Sequence, residues 1–141
     1  MLEDRLEFRT SRAKSDELRN EFLQGKFDLN DLYELSKFRD QDFGYRASWI
    51  FNHIVEKNPV LIEPYLNDIV DWIGNVVSST QRDILRAITK YGVPSERQSE
   101  WFDLTLLFIT DTTRDVAVKV HAMEIASRIV LLYPELKHEF L

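Results

Sequence analysis

The feature that most constrains this chain is its resemblance to itself. Residues 46–66 (RASWIFNHIVEKNPVLIEPYL) lie without a gap over residues 121–141 (HAMEIASRIVLLYPELKHEFL), an offset of 75. Ala47/Ala122, Ile50/Ile125, Ile54/Ile129, Val55/Val130, Pro59/Pro134, Leu61/Leu136 and Leu66/Leu141 are identical, and Tyr65/Phe140 pairs two aromatics. The shared positions are one apolar face followed by a helix-stopping proline. A weaker copy, Arg82 to Pro94, falls between the two, so the unit is half the offset of 75, near 37 residues, and two helices long. A unit of that size buries its apolar face only by stacking on its neighbours.

The remaining segments read as helices joined by short links. Ser15 or Asp16 is expected to cap a first helix carrying Leu18, Phe22 and Leu23, which Gly25 ends in the left-handed conformation. Asp28 opens a second, with Leu29, Leu32, Leu35 and Phe38 at helical spacing. A third covers about 43–57, with Ala47, Ile50, Phe51 and Ile54 on one face, and Asn58-Pro59 stops it. Pro64 suits the first turn of a fourth, which buries Leu66, Ile69, Val70, Ile73 and Val77. Ser78-Ser79 starts a fifth, with Ile84, Leu85, Ile88 and Tyr91 inward, and Gly92-Val-Pro94 ends it. Ser95-x-x-Gln98 reads as a capping box for a sixth that carries Trp101, Phe102, Leu104, Phe108 and Ile109. Thr112 or Thr113 starts a seventh, running to about Leu132, and Pro134 opens a short eighth ending in Phe140-Leu141. Residues 1–14 are highly charged and fit either a helix or a frayed end. Four Gly and four Pro are too few for the turns of an all-β chain.

With this pattern the chain resembles the HEAT-repeat, or armadillo-like, α-solenoid family. That family's signature is an Asp-rich turn followed by Val-Arg-x-x-Ala on the second helix of each pair. Val118-Lys119-Val-His-Ala122 and Tyr45-Arg46-Ala47 look like it, although the gapless alignment sets His121 rather than Lys119 opposite Arg46. The resemblance covers about residues 28–141, and the chain is also similar to short bacterial HEAT-like proteins. It implies an all-α fold: a right-handed α-solenoid of about three to four helix pairs in one domain spanning 1–141.

Charge is unevenly distributed between alternate helices. The second-type helices, 43–57, 80–91 and 114–132, hold eight basic residues against Glu56, Asp83, Asp115 and Glu124, a net charge of +4. The first-type helices, 28–39, 62–77 and 95–110, hold nine acidic residues against Lys37, Arg39 and Arg97, a net charge of −6. Arg82, Arg86 and Lys90 recur at i, i+4, i+8, along one side of a helix. By analogy with the family, the second-type helices line a concave surface. The candidate binding residues there are Arg46, Trp49, His53, Arg82, Arg86, Lys119, His121 and Arg128. A basic face of this kind attracts an acidic protein segment or a phosphate backbone. The competing reading is that these are ordinary solvated helix faces whose cations pair with the acidic helices. Trp49 is either an exposed anchor or packed on the N-terminal helices, while Trp72 and Trp101 sit in broadly apolar helices and read as core.

Composition narrows the function classes. There is no cysteine, which excludes disulfides, thiolate nucleophiles and Cys-ligated zinc. The charged start, MLEDRLEFR, lacks the apolar stretch of a signal peptide, and no apolar run reaches membrane-spanning length, so a cytoplasmic protein is expected. The net charge of −6 disfavours general nucleic-acid affinity. Four scattered glycines cannot form a phosphate loop. No Ser-His-Asp spacing is visible.

His53-x-x-Glu56 and His121-x-x-Glu124 each place a histidine one turn from a carboxylate, but they are not equivalent in the repeat register. Some HEAT-repeat hydroxylases bind iron through His-Glu dipeptides, and His138-Glu139 is the one such dipeptide in this chain. No metal site or cofactor is therefore expected. The leading expectation is a non-enzymatic protein-binding or scaffold module for an acidic protein segment. The alternative is a nucleic-acid role similar to HEAT-like DNA glycosylases, and a metal-dependent enzyme is the third. A homodimer through the apolar terminal helix, with Leu136, Phe140 and Leu141, is also anticipated.

Overall fold

Helix stops explain most element boundaries in the computed structural model, which describes residues 12–37 and 42–137. Seven α-helices occur among these residues: α1 (Arg12–Leu23), α2 (Leu29–Ser36), α3 (Asp42–Lys57), α4 (Leu66–Trp72), α5 (Ser78–Tyr91), α6 (Gln98–Thr110) and α7 (Val116–Leu132). Three 3₁₀ segments, Pro59–Tyr65, Ile73–Asn75 and Pro134–Leu136, complete them, and no strand is found among the described residues. Packing divides the chain into two compact units, Met1–Asn58 and Pro59–Leu141.

In the first unit, α3 packs on α2 and on α1. Gly25 has φ +76, the left-handed stop that a side chain disfavours, and its N–H donates to the Phe22 carbonyl. Asp28 is the N-cap of α2 with extended backbone, although its side chain makes no capping bond. Leu18, Leu32, Ala47, Ile50, Phe51 and Ile54 are buried, and the Tyr33 and Phe51 rings lie 5.4 Å apart. Asp16, expected as a helix cap, instead sits inside α1. The side chain of Ser15, and the expected core position Phe38, lie outside the described residues.

The second unit contains two helix layers. α6 and α7 form an antiparallel hairpin, because the Tyr133 hydroxyl just beyond α7 donates to Gln98 Oε1 at the start of α6 (2.7 Å). α5 and α7 run parallel. Arg114 before α7 reaches Gln81 near the start of α5 (2.8 Å), and Arg128 near the end of α7 reaches Thr89 near the end of α5 (2.6 Å). That same-sense stacking of second-type helices is what a helix-pair repeat requires. Trp101, Phe102, Phe108, Ile84, Leu85, Ile88, Ile125 and Ile129 are buried between these helices. Each such side chain stabilises the fold by roughly 1.5–3 kcal/mol relative to exposure.

The internal repeat is visible as structure. Ala47, Ile50, Ile54 and Val55 are buried on α3, and Ala122, Ile125 and Ile129 on α7. Pro59 and Pro134 each follow the helix and open a 3₁₀ segment.

Four expectations change. The fourth helix is broken: Pro59 and Pro64 lack N–H donors, and the chain takes a 3₁₀ path until Leu66. Val77 is exposed as the N-cap of α5 rather than buried. The Ser95 capping box does not form. Arg97 is the N-cap of α6 at φ 53, and Gln98 Nε2 donates to the Pro94 carbonyl (2.7 Å). Asp115, not Thr112 or Thr113, stands at the N-cap position of α7, without a side-chain capping bond, while Thr113 closes a turn on Asp111 through its N–H (2.9 Å) and hydroxyl (2.6 Å). Of the expected eighth helix, the described residues include the 3₁₀ turn Pro134–Leu136 and helical Lys137, while His138-Glu139 and Phe140-Leu141 lie outside them.

Buried polar groups tie the second unit together. Gln81 is fully buried. Its Nε2 donates to the Ile73 carbonyl (2.9 Å), and its Oε1 accepts from Arg114. Arg114 also donates to Asp111 (3.0 Å) and stacks over the Phe108 ring (4.8 Å). The donors of Thr113, followed by the Arg114 guanidinium, hold the Asp111 carboxyl below its ordinary range. A depressed carboxyl stabilises the fold above its unfolded pKa, about 3.9, and the contribution is lost as pH falls through the folded value. Thermal melts should therefore show Asp111→Asn less stable than wild type at pH 7, with the gap narrowing below about pH 4. An unchanged gap would mean that the charge on Asp111 is not what stabilises the turn.

Candidate functional site

On α5 the buried arc consists of Thr80, Gln81, Asp83, Ile84, Leu85, Ala87 and Ile88. At about 100° per residue, Arg82, Arg86 and Lys90 fall on the opposite, outward arc. The Arg82 and Arg86 side chains are 43% and 42% exposed, and Lys90 is exposed. Asp83 lies between the two arginines in sequence and turns inward, its side chain only 3% exposed. Its Oδ1 accepts from Arg82 Nε (3.2 Å) and lies 3.5 Å from an Arg86 terminal nitrogen. A buried carboxylate thus tethers two guanidinium groups on one face. Each guanidinium presents five N–H donors in a planar fork suited to carboxylates.

The other expected residues have different surroundings. Arg46, Trp49 and His53 belong to α3 in the first unit and are half-buried. His53 Nε2 lies 2.9 Å from Asp16 Oδ1, which ties α3 to α1. Arg128 donates to the Thr89 and Gly92 carbonyls (2.6 and 3.2 Å) and to Glu124 (2.6 Å). It therefore satisfies the carbonyl end of α5, where a cation is also favoured by the helix dipole. Gly92, at φ +132, ends the helix there. His121 is half-buried on the same flank of α7 as Arg128, seven residues away. Lys119 precedes Arg128 by nine residues, two and a half turns, and so occupies the opposite flank. Trp72 and Trp101 are core, at 7% and 0% exposure. The ion pairs of Arg82, Arg86 and Arg128 described above run to carboxylates on their own helices.

Two features went unseen in the sequence. One is a groove of about 470 Å³ lined by Ser95, Arg97, Gln98, Ser99, Ile129, Tyr133, Glu135 and Leu136. The other is the cluster at its edge, where Arg97 pairs with Asp71 (2.6 Å) and with Glu100 and donates to the Asn67 carbonyl. The bonds from Arg97 hold the Asp71 and Glu100 carboxyls below their usual range and raise Arg97 itself. The cluster joins residues about 26 apart in sequence, so no local spacing announces it. The i, i+3 step from Arg97 to Glu100 was its only visible part.

No helix among the described residues is long and apolar enough to cross a membrane. A family model described as a HEAT repeat domain matches residues 2–141. Comparison with curated proteins and with solved structures gives no match.

Removing the tether should be felt in stability. Asp83→Ala is expected to cost about 1–3 kcal/mol in denaturant unfolding, because the buried charge-assisted bonds are lost. A cost near zero would show that Arg82 and Arg86 are positioned without it.

Proposed function

Because the chain belongs to the HEAT-repeat domain family, whose repeats generally mediate protein interactions, we propose that it is a non-enzymatic protein-binding module whose ligand is an acidic protein segment. It is read as one right-handed solenoid domain of three to four helix pairs. The observation that carries the ligand class is the tethered pair on α5: two half-exposed guanidinium groups held by one buried carboxylate. Pre-positioned arginines lose less side-chain freedom on binding carboxylates, which raises affinity without added area.

The contact set centres on Arg82 and Arg86, with Lys90 extending the stripe by one turn. Arg128 holds the carbonyl end of α5 and pairs with Glu124, so it supports the face. His121, on the flank of α7 that carries Arg128, is a further contributor in this reading.

Nucleic acid is the second reading, since the same stripe would accept phosphates. The overall charge of −6 opposes it. Fluorescence anisotropy with a labelled poly-glutamate peptide and with a DNA duplex separates the two. The account expects the peptide to bind and Arg82→Glu/Arg86→Glu to weaken it by about tenfold or more. Equal binding by wild type and variant would remove the stripe as the site. Tighter binding of the duplex, with steep loss between roughly 50 and 200 mM salt, would favour the nucleic-acid reading.

A further inference from the structure

Helices α5 and α7 occupy equivalent places in their pairs but present opposite chemistry outward. The outward arc of α5 is Ser79, Arg82, Arg86 and Lys90. The outward arc of α7 is Val116 (76% exposed), Val120 (53%), Met123 (47%) and Leu131 (80%), with half-buried Val130 at its edge. The opposite arc of α7 (Val118, Ala122, Ile125, Ala126 and Ile129) is buried in the core. α7 thus carries apolar side chains on two opposite arcs, with Lys119, Glu124 and Arg128 on the flanks between them, and an exposed apolar arc marks an interaction surface. Self-association is expected from the sequence through Leu136, Phe140 and Leu141, of which the last two lie outside the described residues; the exposed arc of α7 is a separate surface.

The spacing identifies the occupant. Val116, Val120, Met123, Ser127 and Val130 follow one another by four, three, four and three residues, the step of a two-helix seam, over about 21 Å of helix. Ser127 is the one polar member. Its hydroxyl already donates to the Glu124 carbonyl (2.9 Å), so it can be buried without an orphaned group. Lys119 borders one edge of the seam and Glu124 the other, five residues on. When two copies of such a helix lie parallel about a two-fold axis, a residue on one edge faces the residue five further on along the partner's opposite edge. Lys119 of each copy then meets Glu124 of the other, twice by symmetry. Among the described residues Lys119 makes no ion pair. Glu124 accepts from Arg128, and a carboxylate accommodates a second donor.

We propose that the outward face of α7 is a self-association surface, on which a second copy of this chain packs its own α7 in parallel. The seam excludes water from Val116, Val120, Met123 and Val130, and the Lys119–Glu124 pairs set direction and register. This interface uses a different helix face from the α5 stripe, so either proposal stands or fails without the other.

Sedimentation equilibrium and oxidative cross-linking test it. At roughly 100 µM chain the wild type should sediment at twice its 16.7 kDa mass. Val120→Glu/Met123→Glu, at exposed positions with the helical circular dichroism intact, should shift it to monomer. Lys119→Glu should weaken the dimer by about threefold or more, and Lys119→Glu/Glu124→Lys should restore it. The chain has no cysteine, so Val116→Cys gives an unambiguous cross-link: parallel packing sets the two positions side by side and a disulfide dimer forms. A wild type that stays monomeric, a dimer that survives the double-glutamate variant, or a dimer in which Val116→Cys fails to cross-link would each overturn the proposal.

Discussion

Gln81 is fully buried, and a buried amide left without partners costs about 1–3 kcal/mol. Its two ends are satisfied by groups far apart in sequence, the Ile73 carbonyl before α5 and the Arg114 guanidinium before α7. Apolar packing alone tolerates sliding, whereas these bonds do not. They set where α7 begins relative to α5. The Arg128 bonds to Thr89 and Gly92 then set where the two helices end. Parallel register in the second unit is thus pinned at both ends by arginines that flank one helix.

That division of labour separates arginines that bridge elements from arginines that face outward. Arg97, Arg114 and Arg128 direct their guanidinium groups at carbonyls, an amide oxygen and carboxylates of their own unit. Arg82 and Arg86 share one buried carboxylate and face outward. A count of charge per helix treats all of these alike. The geometry does not, and it concentrates the binding proposal on α5.

The legibility of the fold follows the range of its causes. Stops at Gly25, Asn58-Pro59 and Gly92 are local backbone effects, and each lies where the sequence puts it. The repeated Ala, Ile and Ile positions are buried in both copies because a stacked helix must bury one face. The Ser95 capping box failed for a non-local reason: Arg97 reaches Asp71, 26 residues back along the chain, and adopts a left-handed backbone at the helix start. The fourth helix was read too long because two prolines five residues apart each remove a backbone donor. At the candidate site, the outward placement of Arg82 and Arg86 follows from their four-residue spacing. The tether to Asp83 needed the burial of α5, and the role of Arg128 needed the end of a helix that comes from another repeat.

The central claim is that α5 holds the stack with its inner face and a partner with its outer one. Backbone amide chemical-shift mapping during titration with a poly-glutamate peptide tests this most directly. The account predicts shifts concentrated on residues 79–91, around Arg82 and Arg86, with the buried amides of α6 unmoved. Shifts confined to the Ser95–Leu136 groove, or to the first unit, would contradict it and place the binding surface elsewhere.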